Sequence, residues 1–169
     1  MTISIKTGVT TMKFFYVGLN NFMNRHPFIK SCTLFASKFC PWMSGIFYAL
    51  FLLKIFLEYT NQFYLLVYQP FLVLIITVLL RVLINRKRPC QKYPIQPIDD
   101  KQHLRHSFPS IHTALAISIA LTVVGRGPNM GLLLSCLAGV ITLTRLLTGV
   151  HYITDILFSI ALAFGIYFI

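Results

Sequence analysis

The chain has 169 residues, of which 56% are hydrophobic and 11% charged, and its formal net charge is +11. This length suits one domain, and the apolar excess excludes a soluble globular protein and favours an integral membrane protein. The positive charge predicts anionic partners, which for so apolar a chain are phospholipid headgroups or a phosphorylated substrate rather than nucleic acid. The four cysteines have no metal-binding spacing and predict no disulfide framework.

Two short amphipathic helices are predicted before the first membrane span. Residues 12–23 mix apolar side chains with Lys and Asn, and residues 28–39 form a second apolar stretch that carries two lysines. Both stretches are too short and too polar to cross a bilayer, so we expect them to lie at its surface. No cleavable signal sequence is expected. We therefore divide the chain into interfacial helices, residues 1–40, and a membrane-embedded domain, residues 41–169.

Five apolar stretches predict transmembrane helices and hence an all-α, polytopic membrane helical bundle. One long loop, residues 85–107, separates the second stretch from the third and is rich in Lys, Arg and Pro, including Lys101 and Arg105. If the spans alternate in direction, this loop and the junction between the last two spans lie on the same membrane face. The five predicted spans are residues 43–57, 63–84, 110–124, 130–150 and 152–169.

The junction between the last two spans contains Asp155, an acidic residue that lies between two long apolar runs. Such a group is costly in a membrane segment unless it is paired or faces a polar cavity. His151 lies four residues earlier, so on one helix the two side chains would share a face, and the carboxylate would fix the imidazole tautomer. Arg145 is near enough to bind an anion at the same place. A purely structural ion pair between helices is the alternative interpretation.

Two further clusters suit an anionic ligand. Arg81 and Arg88 are seven residues apart, so on one helix, ended by Pro89, they would share a face and offer two guanidinium groups to phosphate oxygens. Ser110 and His112 stand at the start of the third span, where free backbone N–H groups attract an anion and the histidine can donate a proton. The alternatives are arginines that snorkel to the interface and an ordinary interfacial histidine.

Together these clusters resemble the three-part signature of the type-2 phosphatidic acid phosphatase superfamily. The chain reads Arg81, six residues and Arg88-Pro89; then Pro109-Ser110-Ile111-His112; then Thr144-Arg145, five residues, His151, three residues and Asp155. The spacings match the family's motifs, and the resemblance covers about residues 41–169. Three positions depart from the common pattern: Arg81 replaces lysine, Thr144 replaces serine, and Ile111 replaces glycine. The side chain of Ile111 crowds the approach of a substrate to the backbone.

The resemblance implies an integral-membrane lipid phosphatase that works through a phosphohistidine, with no metal and no cofactor. It implies that His151 is the nucleophile, that Asp155 orients it, and that His112 protonates the leaving oxygen. Undecaprenyl diphosphate is the expected substrate, and phosphatidylglycerol phosphate and phosphatidic acid are the alternatives. A non-enzymatic membrane scaffold is an alternative of another class. The phosphate-binding residues would be Arg81, Arg88, Ser110 and Arg145.

Two arguments disagree about the side of the membrane that this site faces. The basic loop would be cytoplasmic by the positive-inside rule, but phosphate binding would explain much of the same charge. The resemblance to carrier-lipid phosphatases implies the outer face. We therefore expect a multi-pass protein of the cell membrane whose site faces outward.

Overall fold

The computed structural model describes residues 2–58, 60–95, 98 and 106–169, so Lys101 and Arg105 of the predicted basic loop lie outside the described residues. The described ranges are helical with short connections and contain no strand, which confirms the predicted all-α class. The helices are α1 (Thr2–Arg25), α2 (Pro27–Glu58), α3 (Thr60–Ile84), α4 (Pro89–Lys92), α5 (Ile111–Val124), α6 (Pro128–Leu147) and α7 (Ile153–Tyr167).

Within the described ranges, three helices are long and apolar enough to cross a bilayer, namely α2, α3 and α6. Helices α5 and α7 are also apolar but have only 14 and 15 residues, or about 20 Å each at 1.5 Å per residue. The prediction of a membrane helical bundle is therefore confirmed. That α5 and α7 also cross the bilayer, giving five spans, stays a prediction.

Helix α5 lies in the middle of the bundle and packs against α3, α6 and α7, while α2 packs against α6. Its buried face is built from small side chains, including Ala114, Ala116 and Ala120, which allow neighbouring backbones to approach closely. The closest approach is at Gly131 on α6, where a Cβ atom would lie 2.4 Å from Cα of Val124. A glycine is therefore required there.

The predicted break between a second short helix and the first span is wrong. Helix α2 runs without interruption from Pro27 to Glu58 and includes Pro41 in its interior. A proline removes one backbone hydrogen bond, but membrane helices tolerate it because neighbouring groups satisfy the freed carbonyl. Residues 27–40 therefore belong to the same helix as the first predicted span, and the division into interfacial and membrane-embedded parts at residue 40 stays a prediction. Helix α1 is a separate helix with exposed Phe14 and Phe22.

The α3–α5 connection and the α6–α7 junction meet at one end of the bundle. In the α3–α5 connection, Arg86 contacts Asp155, in the first turn of α7, at 2.7 Å. The carbonyl oxygen of Ser107, at the end of the same connection, lies 2.7 Å from Nδ1 of His151. The turn between α5 and α6 packs instead against Phe51, far along α2. Two polar segments that are distant in sequence thus converge, as the alternation of spans predicts.

Candidate active site

The predicted shared helical face of Arg81 and Arg88 is wrong, because α3 ends at Ile84. Asn85 has a φ of 42°, a left-handed conformation that asparagine tolerates, and it ends the helix. Pro89 begins α4 rather than ending α3, which suits its fixed φ. The charges of both arginines nevertheless act on His151, so both guanidinium groups lie near its ring.

Backbone carbonyl groups hold two of the predicted phosphate-binding arginines. Nη2 of Arg145 donates to the carbonyl of Ser37 at 2.6 Å, and Nη2 of Arg81 donates to the carbonyl of His106. A neutral carbonyl orients a guanidinium without cancelling its charge. Arg145 and Arg88 are 3% and 4% exposed, and the planar guanidinium group matches the geometry of phosphate oxygens. The cluster therefore suits an anionic ligand.

His151 lies in the loop between α6 and α7 rather than on a helix with Asp155. Gly149, with a φ of 69°, makes the turn after α6, and α7 begins only at Ile153. Nδ1 of His151 lies 2.7 Å from the carbonyl oxygen of Ser107. A carbonyl can only accept, so Nδ1 carries the proton and Nε2 keeps its lone pair. The ring therefore presents Nε2 as its nucleophilic atom.

Burial is the main cause that lowers the pKa of His151 below its ordinary value. The charges of Arg88 and Arg81 lower this pKa further, whereas the neighbouring Asp155 raises it. Burial disfavours the charged imidazolium, as do nearby cations. His151 is therefore neutral at pH 7, the state in which it can attack phosphorus.

Asp155 contacts the groups around His151 more closely than it contacts the ring itself. Oδ2 of Asp155 lies 3.7 Å from Nδ1 of His151, which is too far for a hydrogen bond. Oδ1 accepts from Arg86 at 2.7 Å, and Oδ2 accepts from the hydroxyl of Ser107 and from the N–H of Tyr152 at 2.9 Å. Ser107 thus bonds the carboxylate through its side chain and the imidazole through its backbone.

The start of α5 differs in part from its prediction. The N–H of Ser110 donates to Oγ of Ser159 at 2.9 Å, and its hydroxyl donates to Thr113 at 3.0 Å, so both donors already have partners in the protein. Helix geometry still leaves the N–H groups of Ile111, His112 and Thr113 without an intrahelical carbonyl, because the N–H of Ala114 is the first to bond back, to Ser110. His112 is exposed and is close enough to His151 and the arginine cluster for their charges to act on it.

The sequence model of the PAP2 superfamily matches residues 62–169. The chain belongs to the PAP2 superfamily. It is therefore a phosphatase of a membrane family that hydrolyses phosphoesters without a metal ion. The matched region begins later than residue 41, where the motif resemblance was placed. In the described part of the chain, no group of three or more His, Cys, Asp or Glu residues is arranged to hold a metal.

Two solved structures share the fold of this PAP2 chain. LpxE from Aquifex aeolicus is 21% identical, with 91% of this chain and 90% of that chain covered and a TM-score of 0.71. A transmembrane PAP2-type phosphatidylglycerolphosphate phosphatase from Bacillus subtilis is also 21% identical, with 94% and 92% covered and a TM-score of 0.54. No curated protein matches the sequence.

Arg86 and Ser107 were not predicted as members of this PAP2 site. A buried carboxylate requires a cation, but Arg86, Lys87 and Arg88 are adjacent in sequence and were equally eligible partners for Asp155. The contact of Ser107 with His151 is made by its backbone, for which the residue type carries no signal.

Proposed function

We propose that this PAP2 protein hydrolyses a lipid phosphate or diphosphate through a phosphohistidine formed at Nε2 of His151. The observation that supports it is the tautomer: Ser107 accepts from Nδ1, so the lone pair of Nε2 is available to attack. The ring is neutral and lies within the field of Arg81 and Arg88, so an incoming phosphate meets a nucleophile and a cationic cradle together.

In the first step, Nε2 of His151 forms a bond to phosphorus while the bond from phosphorus to the leaving oxygen breaks. With the anionic phosphate bound beside it, His112 takes up a proton and gives it to that oxygen, and guanidinium groups hold the equatorial oxygens. The phosphorylated ring, still protonated at Nδ1, gains a positive charge. The carboxylate of Asp155, 3.7 Å from Nδ1, stabilises that charge. The phosphate-binding groups in this proposal are Arg81, Arg88, Arg145 and Ser110, whose hydroxyl must turn away from Thr113 to reach a ligand.

In the second step, water attacks phosphorus from the side opposite Nε2, and the nitrogen–phosphorus bond breaks. His112, now unprotonated, accepts a proton from that water. Inorganic phosphate leaves, and His151 returns to its starting tautomer, which the carbonyl of Ser107 again favours. No step requires a metal ion, because the arginines supply the positive charge that phosphoryl transfer requires.

Undecaprenyl diphosphate is the substrate that we propose, because the short chain with an amphipathic N-terminal helix resembles the small bacterial carrier-lipid phosphatases. Phosphatidylglycerol phosphate is the second candidate, because the Bacillus subtilis structure with the same fold is named for that activity. Phosphatidic acid is the third. All three present a phosphate at headgroup depth, where a site at the end of a membrane bundle can meet it.

A panel assay tests these candidates. Purified protein in detergent is offered the three lipids, and phosphate release is measured with and without excess EDTA and with vanadate. We expect the highest kcat/KM for undecaprenyl diphosphate, no loss in EDTA, and inhibition by vanadate, which adopts the five-coordinate geometry of the transferring phosphoryl group. A strict requirement for added magnesium or manganese would contradict the mechanism. Faster turnover of another lipid would replace the proposed substrate.

We also propose that the site faces the outside of the cell, where a carrier diphosphate is released. Cys90, beside Pro89, is half-buried against the cluster of tyrosines near the site, so it is a poor reporter. Lys87, three residues earlier in the connection between α3 and α4, is exposed. With the four native cysteines replaced by serine, a Lys87→Cys variant should react with a membrane-impermeant maleimide in intact cells. Labelling that occurs only after the cells are opened would show a cytoplasmic site.

A further inference from the structure

Helix α1 precedes the residues that match the PAP2 family model, yet one of its side chains reaches the proposed catalytic loop, residues 148–152. Tyr16 is 1% exposed, whereas the preceding Phe14 and Phe15 are 71% and 43% exposed. The helix thus buries the side chain of Tyr16 and leaves the two preceding aromatic side chains exposed. The buried hydroxyl of Tyr16 must find polar partners there, because an unpaired buried hydroxyl is costly.

Both polar partners of this hydroxyl are backbone groups that flank Tyr152. The N–H of Ile153 donates to Oη of Tyr16 at 3.1 Å, and Oη lies 3.5 Å from the carbonyl oxygen of His151, to which it donates. Ile153 is the first residue of α7, where N–H groups have no intrahelical acceptor. Tyr16 therefore ties the end of the catalytic loop to the start of α7.

The ring of Tyr16 packs against the same region. Its centroid lies 6.1 Å from that of Tyr93 in a stacked arrangement and 5.7 Å from that of Tyr152 in an edge-on arrangement. The guanidinium of Arg86 lies 4.1 Å above the Tyr152 ring and pairs with Asp155 at 2.7 Å. The aromatic cluster thus extends from α1 to the ion pair beside His151.

We propose that Tyr16 is a positioning residue of the phosphatase, through which α1 fixes the backbone that carries His151. This proposal rests on the proposed function. The direction of Nε2 depends on the path of residues 148–152, and Tyr16 bonds the last part of that path. A misplacement of about 1 Å can cost about 100-fold in rate, so a bond to the loop backbone affects turnover even though it touches no substrate.

The test is a Tyr16→Phe variant, which removes one oxygen and keeps the ring, compared with Tyr48→Phe. The hydroxyl of Tyr48 also donates to a backbone carbonyl, that of Leu66, but in the helix core away from the loop. We expect Tyr16→Phe to lower kcat about two- to tenfold with KM unchanged, because the variant loses both hydrogen bonds to the backbone beside Tyr152. Tyr48→Phe should keep the parent kcat. Thermal unfolding of both variants is measured in the same detergent.

A second measurement does not depend on turnover. The ¹⁵N resonances of the His151 ring, assigned by their absence in a His151→Ala protein, should shift in Tyr16→Phe and stay in place in Tyr48→Phe. An unchanged kcat and unchanged ring resonances in Tyr16→Phe would overturn the proposal, and so would equal losses in both variants. If the parent protein releases no phosphate from any lipid, the proposed function fails, and the ring resonances still decide whether Tyr16 positions His151.

Discussion

Replacing His151 with alanine should abolish phosphate release from every lipid that the parent protein hydrolyses. Alanine has no lone pair to attack phosphorus, and the three guanidinium groups cannot replace a nucleophile. We expect kcat to fall by about 10⁴-fold or more. Phosphate release and the ³²P-labelled protein, denatured at alkaline pH, are measured together, because the proposed intermediate is covalent and its nitrogen–phosphorus bond would hydrolyse in acid. The label should appear in the parent and be absent from the variant.

His26→Ala is the matched control for this experiment. His26 is an exposed histidine between α1 and α2, so its loss removes an imidazole without touching the site. It should keep the parent rate and the ³²P label. A His151→Ala protein that hydrolyses lipid phosphates at the parent rate would show that the nucleophile is another group. Thermal unfolding of both variants separates loss of chemistry from loss of fold.

Replacing Asp155 with asparagine should lower kcat by about 100-fold while leaving measurable turnover. The carboxylate accepts from Arg86, from the hydroxyl of Ser107 and from the N–H of Tyr152, and an amide directs an NH₂ group toward at least one of these donors. The substitution also removes the negative charge 3.7 Å from Nδ1 of His151. The nucleophile remains, so the reaction slows and does not stop.

Steady-state kinetics with a fixed lipid measure this effect, and KM should change less than kcat because the arginines that hold the phosphate remain. Glu58→Gln is the control. The carboxylate of Glu58 is exposed and lies 4.0 Å from Nζ of Lys54, and an exposed ion pair of this kind contributes little to stability. A parent-like kcat in Asp155→Asn would mean that the charge near His151 has no part in the reaction.

Most residues of the candidate site were predicted from the sequence, but Arg86, Ser107 and the way in which the side chains are held were not. Hydropathy located the apolar helices, and the alternation of spans brought the basic loop to the junction before α7. The relative positions of Arg81 and Arg88 could not be derived from helical spacing, because Asn85 adopts a left-handed conformation that ends α3 between them. A helical wheel assumes a continuous helix, so it assigned a shared face that does not exist.

The prediction for α2 contains the opposite error: a break was predicted where the helix is continuous. A proline and the nearby lysines suggested that the apolar stretch before residue 40 was a separate surface helix. In the structure α2 continues through Pro41 because tertiary packing outweighs one lost hydrogen bond: Ser37, just before the proline, and Ser44, just after it, are both buried. Local helix-breaking signals therefore predict less in a membrane bundle than in a soluble protein.

The group that fixes the tautomer of His151 is the main-chain carbonyl of Ser107. No amino-acid replacement at position 107 deletes that oxygen, because every residue type carries it. An alanine scan would remove only the hydroxyl that contacts Asp155 and would record nothing of the contact to the ring. The tautomer of His151 therefore depends on the backbone position of Ser107, whose N–H donates to the carbonyl of Arg86 at 2.8 Å. A backbone contact of this kind can be kept while the side chains around it are replaced.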